Sequence, residues 1–161
     1  MDLHKTQAEA FRIALDVGAA SVDDVVSWAL DVVQKVDHPH WSFCELALCS
    51  RKYPPDLAAH LREVPGVPDV TLARLMVLDM LRDSLTEHPE RADPIARSLY
   101  WLAIAGDLDH PELLELAWWA WDALDLADAG AIAQTREDVV KQMRSTLAEA
   151  TSMRTAQRAP G

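Results

Sequence analysis

The chain has 161 residues, half of them apolar, with only five glycines and a formal net charge of −11. This length allows one domain with a core that needs no metal or disulfide, and the composition, rich in Ala and Leu, favours helices over strands. The first residues are polar and no long apolar run follows, which argues against a signal peptide or a transmembrane helix, so we expect a cytoplasmic protein.

The first two helices are indicated by the residues at their ends. Residues 3–17 have a helical pattern that stops at Gly18, a residue suited to the left-handed C-terminal cap. Ser21 with Asp24 predicts a capping box, and apolar residues then recur at helical spacing as far as Val36. We therefore predict a strongly amphipathic second helix.

The middle of the chain predicts three more helices. A third helix covers residues 41–49, and a short fourth one covers residues 55–64 before a proline-rich turn stops it. Asp69 caps a fifth helix, residues 69–85, which is apolar on nearly every side. This helix should therefore be the central and most buried one.

The last three helices also have recognisable boundaries. Asp93 followed by a proline predicts the cap and start of a sixth helix, which ends at Gly106. The seventh covers residues 112–128, and Thr135 with Asp138 opens an eighth. The expected fold is all-α, a single-domain bundle or array of about eight short helices without a sheet.

Domain limits and turns complete the predicted organisation. We expect one domain over residues 1–151 and a frayed or disordered tail over residues 152–161. Three turns share an acid-His-Pro pattern with unequal spacing, which indicates helix starts and not a structural repeat. These turns are Asp37-His38-Pro39, Glu87-His88-Pro89 and Asp109-His110-Pro111.

Neither a catalytic residue, nor a metal site, nor a cofactor is predicted. Cys44 and Cys49 are five residues apart in a helix, a poor geometry for a disulfide, and are interpreted as buried structural thiols. Asp56, His60 and Glu63 share one face of the fourth helix, but a solvated polar face explains them equally well. The chain has no glycine-rich phosphate loop, Cys-x-x-Cys motif or nucleophile elbow.

Residues 112–128 are the most unusual stretch, with three tryptophans, five acids and no basic residue. A helical turn of about 100° per residue places Trp118 among carboxylates, with Trp119 at the border. Either a neighbouring element covers Trp118, as is usual for this residue, or Trp118 belongs to a recognition surface. The opposite, core-facing arc contains Leu113, Leu116, Ala117, Ala120, Trp121, Ala123 and Leu124.

Charge is concentrated around the same helix. Between Arg97 and Arg136 there is no Lys or Arg, and seven acids give this span a formal charge of −7. Such a field attracts a protein with a basic surface and repels nucleic acid and anionic membranes. Solubility alone explains the excess acid as well.

A partner-binding surface is predicted where the sixth and seventh helices meet. Their connecting turn is short, so the helices should pack antiparallel and bring their non-core arcs to one side. Aromatic anchors ringed by charge are typical of binding surfaces. The predicted partner-binding residues are Tyr100, Trp101, Glu115, Trp118, Trp119, Asp122 and Asp125.

One segment carries a resemblance to known proteins. Residues 18–29, Gly-Ala-Ala-Ser-Val-Asp-Asp-Val-Val-Ser-Trp-Ala, are followed by Glu-Leu-Ala-Leu at residues 45–48. This pattern resembles small all-helical bacterial proteins, including several immunity-protein families of toxin systems and related uncharacterised families. The resemblance covers roughly the first third of the chain and departs at Ala47, where those proteins often have a small polar residue. It implies a non-enzymatic inhibitor of a toxin.

Two classes of function stay open. In the first, the protein is a non-enzymatic binding module whose acidic, Trp-rich face covers a basic partner, such as a toxin. In the second, it is a structural or adaptor helical domain that self-associates through its aromatic surface. The sequence does not predict the oligomeric state.

Overall fold

The computed structural model describes residues 2–49 and 54–157, which form helices joined by turns. The α-helices are α1 (Leu3–Val17), α2 (Val22–Lys35), α3 (Trp41–Ala47), α4 (Pro54–Glu63), α5 (Val70–Glu87), α6 (Ala92–Ala105), α7 (Pro111–Asp128) and α8 (Arg136–Gln157). A short 3-10 helix, Pro89–Arg91, precedes α6. No strand occurs among the described residues, so the predicted all-α fold with eight helices is confirmed.

The chain divides into two compact units, Met1–Val77 and Leu78–Gly161, and the division falls within α5. In the first unit α1 packs on α4, α2 packs on α3, and α3 also contacts α4. The apolar core that these helices share contains Ala8, Val25, Ala29, Val32, Phe43, Leu46, Cys49, Leu57, Leu61 and Val64. The single domain predicted for residues 1–151 stays a prediction.

In the second unit, α7 packs against both α6 and α8. Fully buried large side chains on these three helices are Leu99, Leu102, Leu113, Leu116, Leu124, Met143 and Leu147. Burial of such side chains stabilises each of them by roughly 1.5–3 kcal/mol relative to exposure. Helix α7 therefore has an inner side that the other two helices cover.

The predicted ends of the early helices are confirmed. Gly18 closes α1 in the left-handed conformation, with φ of +77°, which a residue without a Cβ adopts at no steric cost. The Ser21 hydroxyl accepts the backbone N–H of Asp24, whose carboxylate accepts the N–H of Ser21, forming the expected capping box. The Asp69 carboxylate accepts the N–H of Leu72 and caps α5.

The ends that position α6 and α8 are confirmed as well. Gly106 closes α6 with φ of +73°. The Asp138 carboxylate accepts both the backbone N–H, at 2.9 Å, and the hydroxyl of Thr135, at 2.8 Å. These hydrogen bonds, the backbone one foremost, hold the pKa of Asp138 below its ordinary value. The start of α8 is thus set by local hydrogen bonds.

The prediction that Asp93 caps the sixth helix is wrong. Helix α6 begins at Ala92, with Arg91 at its N-cap position and no side-chain capping bond. The reason is that the 3-10 helix runs directly into α6, which places Asp93 inside the first turn. Its carboxylate instead forms an ion pair with Arg136 of α8.

Two of the three acid-His-Pro turns start a helix at their proline, as predicted. Pro89 is the first residue of the 3-10 helix and Pro111 the first of α7. Pro39 is the exception, because α3 begins two residues later with His40 as its cap. His38 there has a positive φ of 57°, so this turn changes the chain direction before the helix can begin.

Helix α5 is not the most buried helix. Its five buried side chains lie on one side of the helix, since four of them recur every four residues and Leu78 adjoins that row. They are Ala73, Val77, Leu78, Leu81 and Leu85. By contrast, seven of the fourteen residues of α6 are buried. The apolar residues on nearly every side of α5 therefore led to a wrong prediction, because other helices bury only one of those sides.

The two cysteines differ in exposure. Cys49 is buried, and its thiol donates to the backbone oxygen of Glu45 at 2.8 Å. Cys44 is exposed, so its assignment as a buried thiol is wrong. Cys44 lies within α3, whereas Cys49 lies two residues beyond its end, so the two thiols do not share the single helix that the sequence predicted.

At the carboxyl end α8 continues to Gln157, so residues 152–157 of the predicted frayed tail are helical. Residues 158–161 of that tail lie outside the described residues. Of the helices described, none combines the length and the apolar character needed to cross a lipid bilayer.

Candidate functional site

The two sides of helix α7 have opposite character. Leu113, Leu116, Ala117, Ala120, Ala123 and Leu124 are buried, which confirms six of the seven residues predicted for its core-facing arc. Trp121 was the seventh and is only partly buried, so its assignment to the core is wrong. The outer side presents Glu115, Trp118, Asp122 and Asp125, all of them exposed.

Trp118 is 50% exposed. Its position on α7 explains this exposure, because Glu115 precedes it by three residues and Asp122 follows it by four, on the side away from the buried leucines. Asp125 continues the same line one turn later. The indole therefore lies between carboxylates in a row of exposed side chains on the outer side of the helix.

Helix α6 contributes two aromatic rings next to this stripe. Ile95, Leu99 and Leu102 of α6 are buried, whereas Tyr100 is partly buried and Trp101 is 47% exposed. The predicted side of α6 thus carries the rings that are left uncovered.

Tyr100 joins the aromatic residues of the two helices. Its ring centroid lies 5.6 Å from that of Trp118 at an interplanar angle of 90°, and 5.6 Å from that of Trp101. The ring of Trp121 lies 5.8 Å away, again edge to face. Edge-to-face contacts of this kind each stabilise a pair of rings by about 0.5–1.5 kcal/mol beyond their burial. The structure therefore brings Tyr100, Trp101 and Trp118 together, and it adds Trp121.

The order of these contacts shows how α6 and α7 run. Arg97 lies over the ring of Trp121, with its guanidinium carbon 5.0 Å from the centroid. One turn further along α6, Tyr100 meets Trp118, one turn earlier in α7. The two helices are therefore antiparallel, as the short turn after Gly106 predicted.

Trp119 is the predicted site residue that the structure does not join to the others. It is partly buried, and within the described chain its ring contacts no other aromatic ring. Trp121 joins the ring cluster instead, with Arg97 lying over it, and neither residue was predicted from the sequence to belong to the site. The signal that could have found Arg97 is its spacing of three residues before Tyr100 on the same helix.

We call this surface the acidic aromatic face. It consists of Tyr100, Trp101, Glu115, Trp118, Trp121, Asp122 and Asp125.

The three acids of the face form no ion pair with another described residue. Within residues 2–49 and 54–157, no ion pair involves Glu115, Asp122 or Asp125. Unpaired charges on an exposed helix side keep a field that extends about 8 Å at physiological salt. The face therefore has negative potential that no side chain of the described part offsets by direct pairing.

The neighbouring cation Arg136 is already occupied. It pairs with Asp128 at the end of α7, at 2.7 Å, and with Asp93 on α6. The hydrogen bond with Asp93 is the largest of several effects on the pKa of Arg136, and it raises this pKa above its ordinary value. The side chain therefore stays charged. Arg136 thereby links α8 to both helices that carry the face.

Other clusters offer less. His60 Nδ1 lies 3.1 Å from Glu63 Oε2 on α4, while Asp56 is exposed, as in a solvated polar side. Among the described residues, no three His, Cys, Asp or Glu side chains are grouped so that they could hold a metal ion. These residues therefore do not form a second candidate site.

A groove of about 680 Å³ lies between the 3-10 helix and α8. Its lining includes Glu90 and Glu137 as well as Arg136, Lys141 and Arg144. Charges of both signs offset one another there, so the groove lacks the uniform potential of the acidic aromatic face.

Comparison of the chain with models of protein families, with curated proteins and with solved structures finds no match. The resemblance to toxin-immunity proteins therefore stays a prediction, and the function has to be inferred from the acidic aromatic face.

Proposed function

We propose that the chain is a non-enzymatic protein-binding module that holds a basic protein on its acidic aromatic face. The observation that carries this proposal is the half-exposed Trp118 between Glu115 and Asp122, two carboxylates that pair with no cation in the described part of the chain. An indole that is left in water beside acids has no role in the core, but it is well suited to a partner that brings apolar and positive groups.

The energetics support a partner of this kind. Tryptophan and tyrosine are enriched among the few residues that dominate binding energy, because each buries a large area at a low entropic cost. Tyr100 holds Trp118 by an edge-to-face contact, so the anchor is partly ordered before the partner arrives. Acids around the anchor accelerate encounter with a positive surface and disfavour nucleic acid.

An immunity-type inhibitor of a basic toxin is the specific form of this proposal. A face with several unpaired acids can cover a positively charged cleft of an enzyme and exclude its substrate. The resemblance of residues 18–29 to immunity-protein families supports the same class. The cytoplasm is the compartment that we propose for the inhibitor.

Self-association is the second candidate, and one observation favours it. Besides Trp101 and Trp118, Ile104 and Leu126 are exposed on α6 and α7, at 50% and 44%. Two copies could bury these side chains against each other. Such a contact would also bring like charges together, so it should strengthen with added salt, whereas binding of a basic partner should weaken.

The test uses the product of a reading frame adjacent to the one that encodes this chain, where that product has a small basic domain. We expect Trp118→Ala to weaken its binding by about 2 kcal/mol or more, roughly 30-fold in Kd, as for a hot-spot residue. Isothermal titration calorimetry measures the affinity.

Trp41→Ala is the matched control for this substitution. Trp41 is 55% exposed on α3, outside the face, and its replacement should leave the affinity unchanged. Equal losses for the two variants would contradict the assignment of the face. Sedimentation of the chain alone at low and high salt separates self-association from binding of a basic partner.

A further inference from the structure

The carboxylates beside Trp118 are placed to act together on one cationic group. Glu115 lies one helical turn before the indole and Asp122 one turn after it, so their Cβ atoms are about 5–6 Å from that of Trp118. All three side chains are exposed, and no cation of the described chain pairs with either acid. A flat cation lying on the indole would have an acid on each side along the helix.

The same ring cluster already binds one such cation from within the chain. Arg97 places its guanidinium over Trp121, and no carboxylate among the described residues pairs with it. A guanidinium over an indole is a favourable cation-π contact, since the ring face carries the negative part of its quadrupole. The contact therefore shows how this surface takes up an arginine.

Building on the proposed function, we infer that the acidic aromatic face recognises an arginine of the partner, whose guanidinium stacks on Trp118 and donates to Glu115 or Asp122. Arginine fits this arrangement better than lysine. Its planar group stacks on a ring while its N–H donors, which lie in the same plane, point outward to carboxylates. An ammonium is a compact, strongly hydrated charge that gains less from the ring.

Order within the cluster contributes to this recognition. The edge of Tyr100 contacts Trp118 at 90°, and Tyr100 also contacts Trp101 and Trp121. A ring that is held from one side loses less freedom when a guanidinium stacks on it.

The experiment titrates the full-length protein with two peptides of equal length and charge, one rich in arginine and the other rich in lysine. The chain has six tryptophans, and two-dimensional NMR resolves their indole N–H signals individually. We expect the arginine peptide to bind about three- to tenfold more tightly, with the largest shift at Trp118.

Variants connect this preference to the site. Trp118→Leu should reduce the affinity for the arginine peptide to that for the lysine peptide, while Trp118→Phe should give an intermediate value. Trp41→Leu is the matched control and should keep the preference. Far-UV circular dichroism establishes whether each variant is folded. If Trp118→Leu does not fold, Trp118→Phe still tests the inference.

Removal of charge gives a different result. Glu115→Gln with Asp122→Asn should weaken the binding of both peptides, whereas Glu45→Gln, an exposed acid on α3, should affect neither.

Three outcomes overturn the inference. If the two peptides bind equally and both depend on Glu115 and Asp122, arginine recognition is refuted, but the proposed binding of a basic protein stands. A preference for arginine that is undiminished in Trp118→Phe, or that remains in a folded Trp118→Leu, also refutes it. If neither peptide binds, the inference fails, and calorimetry with the basic partner decides separately whether the proposed function fails with it.

Discussion

Trp118 and Trp41 are exposed to a similar degree, at 50% and 55%, but their surroundings differ. Among the described residues, the ring of Trp41 has one aromatic neighbour, His40, at 5.4 Å. One exposed acid, Glu45, lies at the next turn of α3. Exposed single apolar side chains of this kind are common on proteins. Exposure by itself therefore does not identify a binding site.

Trp118 has more aromatic rings and more acids around it than Trp41. Its ring contacts Tyr100, which also contacts two further indoles. Three acids that pair with no described cation lie on the same side of α7. Several rings that order one another, surrounded by charge of one sign, are what a binding surface requires. The neighbours of an exposed ring, and not its exposure, therefore indicate whether the ring belongs to a binding site.

The largest expected effect separates the inner from the outer side of α7. Leu124 is fully buried, and Leu124→Ala should lower the free energy of unfolding by about 2–5 kcal/mol, since a cavity is added to the lost burial. Trp41→Ala should cost only about 1 kcal/mol, because half of its ring is already in water. Trp118→Ala should cost about 1.5–2.5 kcal/mol, because it also loses the ring contact with Tyr100. Urea denaturation measures all three. If Trp118→Ala lowers the free energy of unfolding as much as Leu124→Ala does, Trp118 is a core residue and its difference from Trp41 no longer indicates a binding site.

A second effect tests whether the rings support one another. The double-mutant cycle of Tyr100→Leu and Trp118→Leu should show a coupling of about 0.5–1.5 kcal/mol in unfolding free energy. The matched cycle uses Trp119→Leu, whose ring does not contact Tyr100 in the described chain, and should be nearly additive. Additive losses in the first cycle would show that the ring contact contributes nothing to the order of Trp118.

A third and smaller effect concerns binding. Arg97→Ala should increase the affinity for the arginine-rich peptide about two- to threefold, because it removes a positive charge next to the face and frees the ring of Trp121. Lys141→Ala removes an exposed charge of α8, outside the face, and should have less effect. Lower affinity in Arg97→Ala would instead show that Arg97 holds Trp121 in place for the partner.

The smallest expected effect is on pH dependence and concerns α8, which supports α7. The pKa of Asp138 is lower in the folded protein than its ordinary value of 3.8, so the unfolded chain binds the proton more readily. The cap therefore stabilises α8 fully above about pH 4, and its contribution is lost as the pH falls through the lower, folded-state pKa.

Melting temperatures measured between pH 7 and pH 2 test this effect. Asp138→Asn should be less stable than the wild type at pH 7, and the difference should shrink at the acidic end. Glu137→Gln, which changes an acid in the same turn that does not accept the capping hydrogen bonds, is the matched control, and its loss of stability at pH 7 should be smaller. A constant difference for Asp138→Asn would mean that the cap does not depend on ionisation.

The sequence by itself determined the features that depend on residues close along the chain. The capping pair Ser21 and Asp24, the left-handed Gly106 and the buried arc of α7 follow from local hydrogen bonds and the helical period. The contact of Tyr100 with Trp118 was predictable too, since two helices that are joined by a short turn pack antiparallel.

Tertiary structure decided how far each side of a helix is covered, and which distant residues meet. The helical period placed Trp121 with the core, but packing left it partly exposed beneath Arg97. Asp93, which the sequence pattern predicted as a cap, lies inside the first turn of α6 and pairs with Arg136, 43 residues further along the chain. Such outcomes depend on the neighbours that other helices bring, because burial and ion pairing are properties of the space around a side chain and not of its position in a helical pattern.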